Sequence, residues 1–196
     1  MPSSNDISGY FSADSPLASV ISGFRPRQGQ AEMAQAVDSA IRDSENLVVE
    51  AGTGTGKTLA YLLPALLSGR RIIVSTGTKT LQDQLFHRDL PALSGAIGRP
   101  AETVLLKGRA NYLCLHRLEM ARFEPGPDAA FLTVIQQWRQ RTRSGDIVEV
   151  EGVPEDSPVW CRVTATTENC LGAQCDFYSS CHVVTARQAA MEADIV

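Results

Sequence analysis

The chain has 196 residues, of which 43% are hydrophobic and 20% charged, as expected for a globular protein of one domain or one domain with an insertion. No apolar run approaches the length of a membrane span, and the N-terminus lacks the basic start and apolar core of a secretory signal. We therefore expect a cytoplasmic protein without a membrane partner. In such a reducing compartment its cysteines are expected to be free thiols or metal ligands rather than disulfides.

The first half of the chain predicts the opening of a parallel α/β sheet. Asp14 or Ser15 can cap a helix whose first turn holds Pro16, and apolar residues recur at helical spacing from Gln28 to Ile41. An apolar helix follows residues 51–58, and another helix contains "KTLQDQLFHRDL". Short buried strands are predicted at residues 46–50, 70–76 and 103–107.

The segment "AGTGTGKT" between the first predicted strand and the next helix matches a phosphate-binding P-loop. Its glycines allow successive backbone N–H groups to point towards an anion, and the helix N-terminus adds further donors. Lys57 is expected to reach the β- and γ-phosphates of a nucleotide, and Thr58 to bind Mg²⁺. The nucleotide-binding residues predicted here are Ala51, Gly52, Thr53, Gly54, Thr55, Gly56, Lys57 and Thr58.

Hydrolysis also requires an acidic pair at the end of a later strand. No Asp-Glu pair follows a buried strand anywhere in the sequence. We therefore expect the chain to bind nucleotide without turning it over.

The character of the sequence changes near residue 108. Residues 111–123 and 128–143 predict two amphipathic helices, followed by an acidic loop at 144–158. Although the net charge is −4, residues 99–143 contain eight Lys and Arg against four Asp and Glu. This locally basic segment is compatible with a nucleic-acid partner, whereas the total charge gives no support for one.

Three cysteines, Cys170, Cys175 and Cys181, have four and five residues between them. Zinc sites usually use cysteine pairs about two to four residues apart, whereas wider spacing plus a remote cysteine suits an iron–sulfur cluster. Cys114 and Cys161 are both candidates for a fourth ligand, and Cys161 can equally be a buried core thiol beside Trp160. The spacing alone leaves zinc, iron–sulfur and no metal open.

Five segments in order resemble the DinG/YoaA branch of the XPD-like superfamily 2 DNA helicases, and within it the YoaA-type members. They are "GFRPRQGQAEMAQAV", "VVEAGTGTGKTLAYLLPAL", "VSTGTKTLQDQL", "LLKGRANYLC" and "NCLGAQCDFYSSCHVVTARQAAMEADIV". The resemblance implies an incomplete RecA-like P-loop domain with an inserted, mainly helical 4Fe-4S domain. It places the RecA-like part at residues 1–107, the insertion at 108–185 and the return at 186–196. It also implies an N-terminal fragment, because the Walker B motif and the second motor domain are absent.

The family pattern also implies roles for individual residues. Arg27 and Gln30 are expected to surround the adenine, and Cys114 with Cys170, Cys175 and Cys181 is expected to bind the 4Fe-4S cluster. Contacts to single-stranded or forked DNA are expected from Thr76, Thr78, Lys79, Gln82, Lys107, Arg109 and Tyr112.

The function expected from this pattern is that of an ATP- and Mg²⁺-dependent DNA helicase moving 5′ to 3′ in replication or repair, with a possible protein partner. Unwinding belongs to the presumed full-length protein, and the fragment is expected to be inactive alone. Two alternatives are a non-catalytic nucleic-acid- or partner-binding fragment and a P-loop protein with a structural zinc domain.

Overall fold

The computed structural model describes residues 7–123 and 126–196. The chain divides into two compact units. Unit 1 comprises the chain up to Val104 together with Ala193–Val196, and unit 2 comprises Leu105–Glu192. Compared with the boundaries expected after residues 107 and 185, unit 2 also contains the whole of the last helix.

Unit 1 begins with a 3₁₀ turn at Ile7–Phe11. Its α-helices are α1 (Pro16–Val20), α2 (Gln28–Asp43), α3 (Lys57–Ser68), α4 (Lys79–Gln84) and α5 (Leu90–Ile97). A single π-helical turn, Leu85–Asp89, joins α4 to α5. The predicted start of α1 is confirmed, because the Ser15 hydroxyl accepts the Ala18 N–H at 3.3 Å and Pro16 occupies the first turn.

The core of unit 1 is built around α3, whose leucines Leu62 and Leu63 are fully buried. They lie in one apolar cluster with Leu17 of α1 and Leu93 of α5. The helix continues through Pro64, which is itself buried. Burying a leucine side chain stabilises a fold by about 1.5–3 kcal/mol, so this cluster fixes the helix that follows the P-loop.

Of the three predicted strands, those at 70–76 and 103–107 appear only as isolated parallel bridges among the described residues. Ile195 pairs with both Ile72 and Thr103, so the last residues of the chain lie between the two. Residues 46–50 form no ladder with any described residue, and Val48 is 96% exposed. A strand that is apolar on both faces needs neighbours to cover it. The prediction of a buried strand at 46–50 was therefore wrong for this structure.

Unit 2 contains α6 (Leu115–Phe123), α7 (Ala129–Arg139), α8 (Val159–Val163) and α9 (His182–Glu192). Short 3₁₀ turns lie at Arg109–Asn111, Ile147–Glu149, Gly172–Gln174 and Tyr178–Ser180. Its apolar core includes Leu118 of α6, Ile135 and Trp138 of α7 and Val163 of α8. Trp138 packs in this core and is 7% exposed.

Within the described ranges, no helix is both long and apolar enough to cross a bilayer.

Candidate nucleotide-binding and cysteine sites

The P-loop leads directly into the N-terminus of α3. Gly54 and Gly56 have φ angles of 73° and 84°, in the left-handed region where a Cβ is strained, and α3 starts at Lys57. The first N–H groups of an α-helix have no acceptor within the helix, so they are available to a bound anion. This arrangement provides the backbone cradle expected for phosphate.

The side chains around the loop bind its carbonyl groups. The Lys57 ammonium donates to the carbonyls of Ala51 at 2.5 Å and Gly52 at 2.7 Å. Arg27 donates to the Gly54 carbonyl, and the Gln30 amide donates to the Gly56 carbonyl at 2.9 Å. Arg27 and Gln30, predicted to surround the adenine, are thus placed beside the P-loop itself.

We expect Gly56→Ala to lower the free energy of unfolding by about 1–2 kcal/mol, because alanine is strained at this left-handed position. Its Cβ would also clash with Gln30 Nε2, which would have to move and weaken its bond to the loop. Thermal unfolding followed by circular dichroism measures the change.

The matched control is Gly52→Ala. Its Cβ meets nothing nearer than 3.9 Å and its φ lies outside the left-handed region, so stability should stay within about 0.5 kcal/mol of the parent chain. Equal losses from both variants would contradict the role assigned to the Gly56 conformation.

A cavity of about 640 Å³ opens beside the P-loop in unit 1. Pockets of about 300–1,000 Å³ are typical of small-molecule sites. Its lining includes Gly54, Lys57 and Thr58 from the loop and Gln84, Arg88 and Asp89 from the π-helical region. Burial of Tyr61 raises the pKa of its phenol, and the Thr58 side chain, one turn earlier on α3, acts in the opposite direction. The Lys57 and Thr58 side chains therefore face a space large enough for a nucleotide.

The residues predicted to contact DNA near α4 surround the start of that helix. The Thr78 hydroxyl caps α4 by accepting the Leu81 N–H at 3.2 Å, and the Thr76 hydroxyl lies 3.4 Å from the Thr78 carbonyl. Lys79 is exposed, whereas Gln82 is half-buried. The cap fixes the position of the Lys79 backbone, and the DNA contacts themselves remain a prediction.

Lys107 and Tyr112, also predicted DNA contacts, are buried in unit 2. The Lys107 ammonium lies 2.7 Å from the Asp146 carboxylate, with side-chain exposures of 5% and 13%. Tyr112 is 4% exposed, and its hydroxyl accepts the Lys107 backbone N–H at 3.0 Å. Burial raises the pKa of the Tyr112 phenol. Both side chains are thus packing groups here, and their DNA contact rests on the family resemblance alone.

We expect Lys107→Met to lower the free energy of unfolding of unit 2 by about 3 kcal/mol, since removing one partner strands a buried charge on the other. The chain's two tryptophans, Trp138 and Trp160, both lie in the core of unit 2, so their fluorescence in urea reports this unit.

The double variant Lys107→Met/Asp146→Leu should recover most of the loss, because neither charge is then buried alone. Lys79→Met is the control on an exposed lysine and should change stability by less than about 0.5 kcal/mol. If Lys107→Met leaves the unfolding curve unchanged but weakens DNA binding, Lys107 is a DNA contact and the packing role is wrong.

Cys114 lies immediately before α6, next in sequence to the backbone N–H groups of the first turn. Burial raises the pKa of its thiol, the N–H groups of Arg117 and His116 act in the opposite direction, and Cys175 and Cys181 raise it further. The pKa of Cys114 is therefore sensitive to two cysteines more than fifty residues away in sequence.

Two groups donate hydrogen bonds to the sulfur of Cys170. The Arg109 guanidinium donates to its sulfur at 2.6 Å, and the Gly172 N–H lies 3.4 Å away. Arg109 was predicted to contact DNA, but its Nη1 is occupied by a cysteine sulfur.

The fifth cysteine, Cys161, is separate from this group. It is exposed, whereas the prediction offered it as a possible core thiol beside the buried Trp160. Its backbone carbonyl accepts a hydrogen bond from Arg117 at 2.7 Å. In the part of the chain that the structure describes, no three His, Cys, Asp or Glu side chains converge closely enough to hold a single metal ion.

Sequence reasoning missed two groups beside the predicted sites. One is the set formed by Gln84, Arg88 and Asp89 at the P-loop cavity, and the other is Asp146, the partner of Lys107. Gln84 and Asp89 are five residues apart, a spacing that does not share a face in a regular α-helix. Asp146 lies in a loop that carried only a general acidic bias.

Comparison with known proteins agrees with this geometry. Residues 28–115 match the DEAD/DEAH box helicase family. The chain is 50% identical over 196 residues to ATP-dependent DNA helicase YoaA of Haemophilus influenzae, covering 98% of this chain and 31% of that protein. The Escherichia coli YoaA protein is 50% identical over 190 residues, covering 95% of this chain and 30% of the relative.

A more distant match is ATP-dependent helicase DinG of Mycobacterium tuberculosis H37Rv, with 41% identity over 200 residues, 87% of this chain and 29% of that protein. The chain thus spans about a third of the length of the relatives it matches. The aligned region contains the P-loop, α4 and all five cysteines. The chain resembles the DEAD/DEAH box helicases over residues 28–115, and over most of its length it resembles the branch that contains YoaA and DinG.

Proposed function

We propose that this chain is the nucleotide-binding part of an ATP-dependent DNA helicase that moves 5′ to 3′ along single-stranded DNA in replication or repair. The observation that carries the proposal is the P-loop at the start of α3, with Lys57 and Thr58 facing a cavity of about 640 Å³. The relatives named as ATP-dependent DNA helicases support the choice of reaction. Polarity and pathway are inferred from the family resemblance.

In this proposal the chain's own residues bind and orient ATP. The N-terminal N–H groups of α3 hold the β-phosphate, and Lys57 leaves the Ala51 and Gly52 carbonyls to meet the β- and γ-phosphates. The Thr58 hydroxyl is the group placed to hold Mg²⁺, which neutralises charge on the phosphates when bound. Hydrolysis is assigned to the full-length protein, because no Asp-Glu pair follows a buried strand in this sequence.

DNA is proposed to contact the region around the N-terminus of α4. Thr76, Thr78, Lys79 and Gln82 offer hydroxyl, ammonium and amide groups of the kind that bind phosphates without reading bases. Lys79 is exposed, so it can neutralise a backbone phosphate. A helicase that moves along DNA needs phosphate contacts that do not depend on the base sequence.

We further propose that Cys114, Cys170, Cys175 and Cys181 bind a 4Fe-4S cluster. Four thiols are the donor set that such clusters use, and a cluster is larger than the single ion for which the described residues show no site. The charge interactions of Cys114 with Cys175 and Cys181, and the Arg109 bond to Cys170, support this set. The cluster is proposed to stabilise unit 2 structurally, since it would tie the start of α6 to the loop before α9.

The proposal is tested by unwinding assays on the full-length protein with forked DNA and with duplexes carrying a single 5′ or 3′ tail. DNA-stimulated ATP hydrolysis with unwinding only from the 5′ tail is the expected result. Unwinding only from the 3′ tail would reject the polarity. The absence of both nucleotide binding and DNA-stimulated hydrolysis would reject the helicase assignment.

A further inference from the structure

Asp89 lies where the helical segment that begins with α4 meets the wall of the P-loop cavity. It is only 9% exposed, yet it carries a carboxylate. One of its oxygens accepts the Gln84 side-chain amide at 3.0 Å, and the other lies 2.9 Å from Arg88 Nε. A buried carboxylate is costly unless it is paired, so these two contacts constrain Gln84 and Arg88 as much as they hold Asp89.

The π-helical turn explains how Gln84 and Asp89 can meet. Residues five apart in an α-helix point about 140° from one another, because each residue turns the helix by about 100°. At Leu85–Asp89 the turn is wider, with the Leu90 N–H bonded to the Leu85 carbonyl, and the extra residue brings Asp89 onto the Gln84 face. Single π turns inside α-helices are frequent at functional sites.

Asp89 lines the same cavity as Thr58, the residue proposed to hold Mg²⁺. Thr58, Gln84, Arg88 and Asp89 line one cavity. The pKa of Tyr61, one turn after Thr58 on α3, is raised by burial and, to a smaller extent, by the Asp89 carboxylate. Asp89 thus lines the same cavity as Thr58 while it is hydrogen-bonded to the last residue of α4.

Arg88 is the residue of this set whose side chain can change partner when nucleotide binds. Its side chain is 71% exposed, so a phosphate can reach its guanidinium and replace Asp89 as its partner, while the Asp89 side chain is 12% exposed. A triphosphate in the cavity would compete with Asp89 for this cation. When Arg88 turns towards phosphate, the Gln84 amide becomes the remaining partner of a buried carboxylate, and their bond strengthens.

We propose that Asp89 is a positioning residue that couples nucleotide occupancy of the P-loop cavity to the orientation of Gln84 and therefore of α4. The inference rests on the proposed function, because α4 is the element for which DNA contact is proposed. Asp89 itself touches neither DNA nor the reacting atoms in this account. Its effect is a change in DNA affinity that depends on bound nucleotide.

The experiment measures the affinity of the full-length protein for a single-stranded oligonucleotide by fluorescence anisotropy, without nucleotide and with a saturating non-hydrolysable ATP analogue plus Mg²⁺. The ratio of the two dissociation constants is the coupling factor, and couplings of about 5–150-fold are typical. Asp89→Asn removes the charge, and Gln84→Leu removes the contact on the α4 side.

Both variants should bring the coupling factor to within about twofold of one, while DNA affinity without nucleotide stays within about twofold of the parent protein. Nucleotide affinity without DNA should not fall in either variant, because neither change removes a group that binds phosphate. Asp43→Asn, at the exposed end of α2, is the matched control and should keep the parent coupling factor. If Asp89→Asn fails to fold, Gln84→Leu decides alone.

Parent-like coupling in the variants overturns the inference, as does a parent protein that binds both ligands without coupling. A variant that loses nucleotide affinity itself also overturns it, because Asp89 would then belong to the nucleotide site. A parent protein that binds neither ATP nor DNA instead rejects the proposed function, so the two failures are distinguishable.

Discussion

Replacing Cys114 by serine should reduce the iron content of the anaerobically purified protein from about four atoms per chain to nearly none. A serine hydroxyl does not replace a thiolate in an iron–sulfur site, and Cys114 supplies the one proposed ligand outside the loop at 170–181. Iron and acid-labile sulfide analysis measures the loss, and the visible absorbance of the cluster should disappear with it.

Cys161→Ser is the matched control for this experiment. Cys161 is the only exposed cysteine of the five, and the hydrogen bond it makes to Arg117 uses its backbone carbonyl, which serine retains. It should therefore keep about four iron atoms per chain. Loss of iron in Cys161→Ser with retention in Cys114→Ser would show that the ligand set is wrong.

Metal analysis of the unsubstituted chain in the same assay identifies the metal. Stoichiometric zinc without iron would reject the cluster and favour the structural zinc alternative. Unit 2 should also lose stability with the cluster, because the proposed iron–sulfur bonds that would connect Cys114 to the later cysteines would be absent. Tryptophan fluorescence follows this change, since both tryptophans pack in the core of unit 2.

The features that sequence predicted well are those determined locally. The P-loop glycines require left-handed backbone, the cap at Ser15 uses the next few residues, and α2 follows from its apolar spacing. All of these depend on interactions between residues that are close in the chain, so the pattern alone defines them.

The features that sequence predicted poorly depend on distant partners. Buried strands were predicted at residues 46–50 and 70–76, but burial of a strand requires neighbouring strands. Val48 of the first segment and Ile73 of the second are exposed. Lys107 was expected to contact DNA, but its ammonium is buried against Asp146, thirty-nine residues later. Charge patterning indicates which residues can meet a phosphate, whereas only the fold shows which of them are already paired.

Lys57→Ala should reduce ATP hydrolysis by the full-length protein by at least about 100-fold, because it removes the cation placed to stabilise charge on the β- and γ-phosphates. Nucleotide affinity should fall by about 10–100-fold, as expected for losing a charged hydrogen bond worth about 1.5–3 kcal/mol. Stopped-assay phosphate release measures the first effect, and titration with a fluorescent ATP analogue measures the second.

Lys57→Ala should not destabilise the fold. Among the described residues, the hydrogen bonds of the Lys57 ammonium go to the Ala51 and Gly52 carbonyls of the loop, and those groups can accept water once the lysine is gone. Thermal unfolding should therefore change by less than about 1 kcal/mol without nucleotide, while stabilisation by added ATP and Mg²⁺ disappears. Arg42→Ala, which removes an exposed cation of α2, is the control and should leave hydrolysis unchanged. Normal hydrolysis in Lys57→Ala would mean that the P-loop does not serve the motor.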